Sequence, residues 1–173
     1  MYHLADAYLM SAFVAALGAY LGALVFGAAA VPQVILNTLE ENTAAPVLRA
    51  YWPRYHKVAV IIGTVLTVAL VVIIPSDSLP AIYSLLLTSL SSLMTLCFFV
   101  GLRLIGSINS ARDAGDEVTF NRLHRTDIFL VTLGLLLGVM LVCAVIYVLP
   151  GQFTFWQYGA EPITHNHSGP TVR

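Results

Sequence analysis

Charge is what this sequence has least of: eight Lys and Arg and nine Asp and Glu amount to 10% of 173 residues. A water-soluble domain carries about 25% charged residues. There is too little charge here to cover a water-facing surface, which excludes a soluble globular enzyme. The net charge of −1 offers no basic face, so nucleic acid is not expected as a partner. Cysteine is scarce too. The two present, Cys97 and Cys143, lie in apolar runs and make no disulfide framework. What is abundant is apolar, with 58% hydrophobic residues and a mean hydropathy of +0.84. Intrinsic disorder needs low hydrophobicity and is excluded. An integral membrane protein in contact with the lipid bilayer remains.

Four stretches carry no charge: residues 7–39, 58–76, 78–102 and 128–160. A helix needs roughly 20 apolar residues to cross a hydrocarbon core of about 30 Å. The expected spans are Tyr8–Val31, His56–Ile74, Ala81–Ile105 and Ile128–Leu149. Helices are required because lipid offers backbone groups no partners, and a β-barrel would show short alternating segments instead. The fold class expected is an all-α, antiparallel four-helix membrane bundle. Residues 1–149 form its transmembrane domain, and residues 150–173 form an outer tail rich in aromatics and histidine. No Lys or Arg precedes the first apolar run, and its length exceeds a signal core, so it is expected to stay as a span.

Proline marks the expected boundaries. Pro32 should end or kink the first helix, Pro75 and Pro80 should bracket a short turn, and Pro150-Gly151 should close the fourth helix. Seven basic residues, Arg49, Arg54, Lys57, Arg103, Arg112, Arg122 and Arg125, fall in or beside segments 32–55 and 106–127. The positive-inside rule makes these two loops cytoplasmic. Both termini then face outward, into the periplasm for a bacterial inner membrane.

Gly18 and Gly22 in the first span, and Gly134 and Gly138 in the fourth, are spaced to let helices approach closely. Ser84, Thr88, Ser89, Ser91, Ser92 and Thr95 give the third span a hydroxyl-rich interval. It suits bundle packing, or less simply a polar path for a solute. Tyr51, Trp52 and Tyr55 read as an aromatic belt at the cytoplasmic interface, and Phe153, Phe155, Trp156 and Tyr158 as one at the outer interface. The outer aromatics could instead dock on a partner subunit.

Reactive groups are sparse. No Asp, Glu, Lys, Arg, His or Asn is expected in the core of any span, which argues against proton relays and intramembrane hydrolysis. His56 and His124 fall near one level at the cytoplasmic face, where two imidazoles could hold a haem iron or a metal ion. The simpler reading is interfacial histidines among basic residues. His3, His165 and His167 gather outside and suit copper by ligand type. The pairs Met94/Cys97 and Met140/Cys143 run along oppositely directed helices, with the two cysteines at different depths, so core packing is the better reading.

Two segments also carry a likeness. One is Gly27-Ala28-Ala29-Ala30-Val31-Pro32 leading to Tyr51-Trp52-Pro53-Arg54-Tyr55-His56; the other is Phe120-Asn121-Arg122-Leu123-His124-Arg125. Over residues 8–149 this order resembles the transmembrane-protein-205-like family, itself related to the copper-resistance-D-like group. Carried over by position, the motif residues are Pro32, Pro53, Tyr55, Phe120 and His124. Relatives have a serine and then an asparagine after Leu-His, where this chain has Thr126-Asp127. The resemblance implies four spans and a loose link to copper or drug resistance, and it brings no reaction.

The reading that asks least of the sequence is a non-catalytic accessory or scaffold subunit of a larger membrane complex, with other membrane subunits as partners and no cofactor of its own. The alternatives are a copper- or metal-handling protein, and a small haem protein passing electrons through His56 and His124.

Overall fold

The computed structural model describes residues 2–73 and 81–158, and within them the side chains of residues 8, 9, 11–72 and 81–147. These residues are helical almost throughout: α1 (Tyr2–Val25), a π-turn (Phe26–Ala30), α2 (Val31–Thr38), α3 (Glu41–Ile73), α4 (Ala81–Asp113) and α5 (Glu117–Tyr158). Four stretches, Ser11–Thr38, Glu41–Val72, Ala81–Asp113 and Glu117–Tyr147, are long and apolar enough to cross a membrane. The expected turn between Pro75 and Pro80 and the histidines at 165 and 167 lie outside the described residues, as do the side chains of His3 and of the aromatics from Phe153 on.

The helices are longer than the apolar runs. Segment 32–55, expected as a loop, is α2 plus the first part of α3, and only residues 39 and 40 break it. Segment 106–127 is the end of α4 and the start of α5, joined at residues 114–116. Hydropathy marks where apolar residues stop, but a helix continues through polar residues as long as its backbone stays paired. Nor do prolines stop them: α3 runs through Pro46 and Pro53, and α5 runs past Pro150-Gly151 to Tyr158.

Pro32 neither ends the first helix nor leaves it regular. Its ring displaces the carbonyl four residues back and it has no N–H to offer. The chain answers with a widened turn, in which the Val31 N–H bonds to the Phe26 carbonyl. The Gly27 carbonyl thereby loses the Val31 donor, and Pro32 cannot replace it. Tyr51 does: its hydroxyl donates to Gly27 O at 2.8 Å. Beside it, the Tyr55 hydroxyl donates to Leu24 O at 3.1 Å. A methyl group on Gly27 would sit 2.8 Å from the Tyr51 hydroxyl and 2.8 Å from the Tyr55 ring, so glycine is needed for this approach. Tyr51 and Tyr55, expected at an interface with lipid headgroups, turn inward instead and fasten α3 to the π-turn.

The α4–α5 connection is equally defined by backbone accounting. Gly115 has a φ of 68°. Asp116 N–H donates to Ala111 O at 3.0 Å and Gly115 N–H to Arg112 O at 3.1 Å, the two bonds of a Schellman end. Asp116 then starts α5, its Oδ1 accepting the Thr119 N–H at 3.0 Å, as an N-cap does. Arg49 of α3 meets Asp113 at the end of α4 at 2.6 Å. Both side chains are well exposed, so this pair adds at most about 1 kcal/mol.

The core is a column of side chains from every long helix: Leu17 and Tyr20 from α1, Ala59 and Leu70 from α3, Met94 and Phe98 from α4, Leu141 and Val145 from α5. Gly134 lies against Phe98, and Gly138 against Leu21 and Met94. The hydroxyls of α4 serve packing: the Ser91 and Thr67 hydroxyls meet at 2.7 Å, joining α4 to α3, and Thr95 donates to Ser91 O at 2.9 Å. Met94 and Cys97 are buried as expected, whereas Met140 and Cys143 lie on the exposed face of α5. Over an apolar run of 18 residues in each stretch only 28–39% are buried, and Val65, Val72, Leu85 and Leu136 are among the large side chains left outside. An apolar exterior of this extent is the kind that lipid covers.

Two predictions follow from the backbone accounting. Tyr51→Phe leaves the Gly27 carbonyl unpaired and should lower stability in detergent by about 1–3 kcal/mol. In a Pro32→Ala background, where residue 32 regains an N–H, the same change should cost less than half as much by thermal unfolding. The second concerns Asp116, whose carboxyl is held below the usual carboxylate range by the hydrogen bonds from Thr119. A lowered value means the cap is complete above the ordinary carboxylate range and is lost as pH falls through the lowered one. The Thr119 amide signal in NMR should therefore titrate below that range in the wild type, and not at all in Asp116→Asn.

Candidate functional site

Each long helix has a level at which charged residues give way to apolar ones. In α3 it lies between Lys57 and Val58, in α4 between Leu102 and Arg103, and in α5 between Asp127 and Ile128. At that level the exterior carries Lys57, Arg103 and Arg125, all exposed. The interior carries His56 and Asp127, with 0% and 6% of their surfaces exposed. Their Nε2 and Oδ1 atoms lie 3.1 Å apart.

This distance allows charge attraction, yet neither atom has a hydrogen-bond partner in acceptable geometry. The distance and the geometry thus tell different things, and both count: the groups face each other, but off the line that a ring N–H would need. The other imidazole nitrogen, Nδ1, is 3.0 Å from the Trp52 carbonyl one turn earlier in α3. Aromatic rings close the surroundings. Tyr55 stands edge-on to the imidazole at 5.3 Å, and Phe98 of α4 lies 6.3 Å away.

Room for the pair comes from α4. A methyl group on Gly101 would lie 2.6 Å from His56 Nε2 and 2.8 Å from Asp127 Oδ1. No side chain larger than hydrogen fits that position without moving both. The site is therefore made by three helices: α3 supplies a base, α5 an acid, and α4 the space between them.

The buried pair corrects the expectation that Asp127 belongs to a loop; both groups stand at the polar edge of the apolar lengths, outside the cores of the expected spans. Asp127 lies inside α5, ten residues after its start at Glu117. The structure gives the two histidines of the sequence reading different partners. His56 faces Trp52 and Asp127, while the His124 ring stacks on Phe120 at 5.5 Å, under which Arg112 also packs at 5.4 Å. Among the described residues no group of three or more His, Cys, Asp or Glu side chains is placed to hold a metal ion. The motif residues separate likewise. Tyr55 adjoins the pair, Phe120 and His124 stack with each other, and Pro32 governs the π-turn.

A groove of about 310 Å³ between α3 and α4 is lined by Thr64, Thr67, Ser92 and Thr95 among apolar neighbours. Thr64, Thr67 and Thr95 donate to carbonyls of their own helices, so these hydroxyls are already spent on packing. The pair is the stronger candidate.

Comparison with models of protein families, with curated proteins and with solved structures found no match.

Removing one member of a buried acid–base pair leaves the other uncompensated, while replacing both by apolar groups need not. Asp127→Leu and His56→Leu should each lower stability by about 3 kcal/mol. The double variant should recover most of that loss in thermal unfolding of the solubilised protein.

Proposed function

We propose that this chain is a non-catalytic multi-pass membrane protein that acts as an accessory or scaffold subunit, docked to other membrane subunits through α1. The observation that carries this reading is a contrast between two glycine pairs. Gly134 and Gly138 are filled against by Phe98, Met94 and Leu21, whereas Gly18 and Gly22 have nothing within 4 Å of where a side chain would begin. Ala15, Ala19 and Ala23 are exposed beside them. In lipid, small residues gain nothing from exposure, but they let a second helix come close.

The bundle is antiparallel in this reading, supported by the tight turn at residues 114–116 and by Arg49 reaching Asp113. The basic residues cluster on the polar ends of α3, α4 and α5, which favours a cytoplasmic location for those ends and an outer, periplasmic one for both termini. A bacterial inner membrane fits that arrangement.

The test uses Gly18→Leu with Gly22→Leu. Because the space there is open, the double variant should keep the thermal stability of the wild type in detergent. It should nevertheless fail to co-purify with the larger assembly that wild-type protein accompanies after gentle extraction. Migration of the wild type alone under those conditions would remove the reading.

A further inference from the structure

The His56–Asp127 pair has a chemistry that docking does not use. A carbonyl oxygen can only accept, so the bond to Trp52 O at 3.0 Å requires the hydrogen on Nδ1. Nε2 is then either a bare lone pair or the second N–H of an imidazolium. Asp127 Oδ1, 3.1 Å away, is either a carboxylate oxygen or part of a protonated acid.

Three proton counts are available to the two atoms. With none, two lone pairs face each other and the pair carries a net negative charge. With two, an imidazolium faces a protonated acid and the pair carries a net positive charge. With one, on either side, the pair is neutral overall and one atom has a hydrogen to direct at the other. A net charge is costly where both groups are withdrawn from water, and the one-proton count avoids it.

The surroundings do not supply the missing hydrogen. From α3 the titratable neighbour is Tyr55, whose hydroxyl is committed to Leu24 O. Of α4, Phe98 and Gly101 meet the pair, and neither titrates. On α5, His124 stands one turn before Asp127 and stacks on Phe120. From α1 the titratable group is Tyr20, reached across Tyr55, and its hydroxyl goes to Ala59 O at 2.7 Å. Lys57, Arg103 and Arg125 at this level are exposed on the outside of the bundle.

We infer that His56 and Asp127 form a proton-binding site inside the bundle, holding one proton between Nε2 and Oδ1 in the space that Gly101 leaves. Because the two atoms face each other off the hydrogen-bond line, a small turn of the imidazole or the carboxyl must align them before the proton can leave one atom and bond to the other. The proton that enters is a hydron from solvent and the one that leaves returns there, so no other reactant is consumed. The site is independent of α1 docking, and Gly18→Leu with Gly22→Leu leaves its signature unchanged.

The test is solid-state NMR of the full chain, labelled with ¹⁵N-histidine, in phosphatidylcholine vesicles at neutral pH. The His56 ring signals are those missing from His56→Gln. The expected result is a protonated or proton-sharing Nε2 in the wild type, replaced by a bare Nε2 in Asp127→Asn. A Gly101→Ala sample should show the same loss, because its methyl parts the two groups. An Nε2 signal that is the same in wild type and Asp127→Asn, together with only ionised aspartates in ¹³C-aspartate-labelled wild type, overturns the proposal. Should Asp127→Asn fail to fold, wild-type protein labelled with ¹³C-aspartate decides instead. A bare His56 Nε2 together with only ionised aspartates refutes it, and a proton on either group upholds it.

Discussion

A carboxyl and an imidazole can share the interior of a helical bundle only where a third helix leaves them room. In this protein that room is one missing side chain, at Gly101 of α4. The requirement fixes the spacing of α3, α4 and α5 at the level where their charged ends meet their apolar lengths. Below that level the packing is ordinary, with Phe98 against Gly134 and Met94 against Gly138. Above it, the helices are joined by the Arg49–Asp113 pair and the capped turn at Gly115 and Asp116. The acid–base pair thus stands at the junction of two regimes, one apolar and one polar.

A second constraint acts on the backbone. Pro32 removes a donor from the first helix and forces a π-turn, which leaves the Gly27 carbonyl to be satisfied from elsewhere. Two tyrosines of α3 reach across to this joint. The same stretch of α3 that serves the joint, Tyr51 to His56, also presents the imidazole to Asp127. A defect in one helix and a functional group in another are therefore held by one segment of less than two turns, and a change in either is expected to be felt by both.

The apolar lengths of the helices were legible from hydropathy, because they depend on composition alone. The helix ends were not. Residues such as Arg49, Arg112 and Arg122 look like loop in a hydropathy profile, yet polar residues extend a helix readily when its backbone is paired. Tyr51 and Tyr55 looked interfacial because their inward partners are backbone carbonyls, Gly27 O for Tyr51 and Leu24 O for Tyr55, and the first is left open only once Pro32 has widened the turn. Asp127 was the largest surprise. It ends the charged segment that precedes the apolar run of α5, but only the contact with His56 gives it meaning. A signal did exist: His56, Gly101 and Asp127 each stand within two residues of the polar–apolar boundary of their helix. Nothing in the linear order shows that the three boundaries coincide in space.

The length of the helices has a mechanical side. At 33 residues each, α3 and α4 measure about 50 Å, against a hydrocarbon core of about 30 Å. The excess, roughly 20 Å, is stiff rod rather than slack tether, braced at its tip by Arg49 and Asp113. The pair at their base therefore sits roughly 20 Å from that tip, joined to it by unbroken helix.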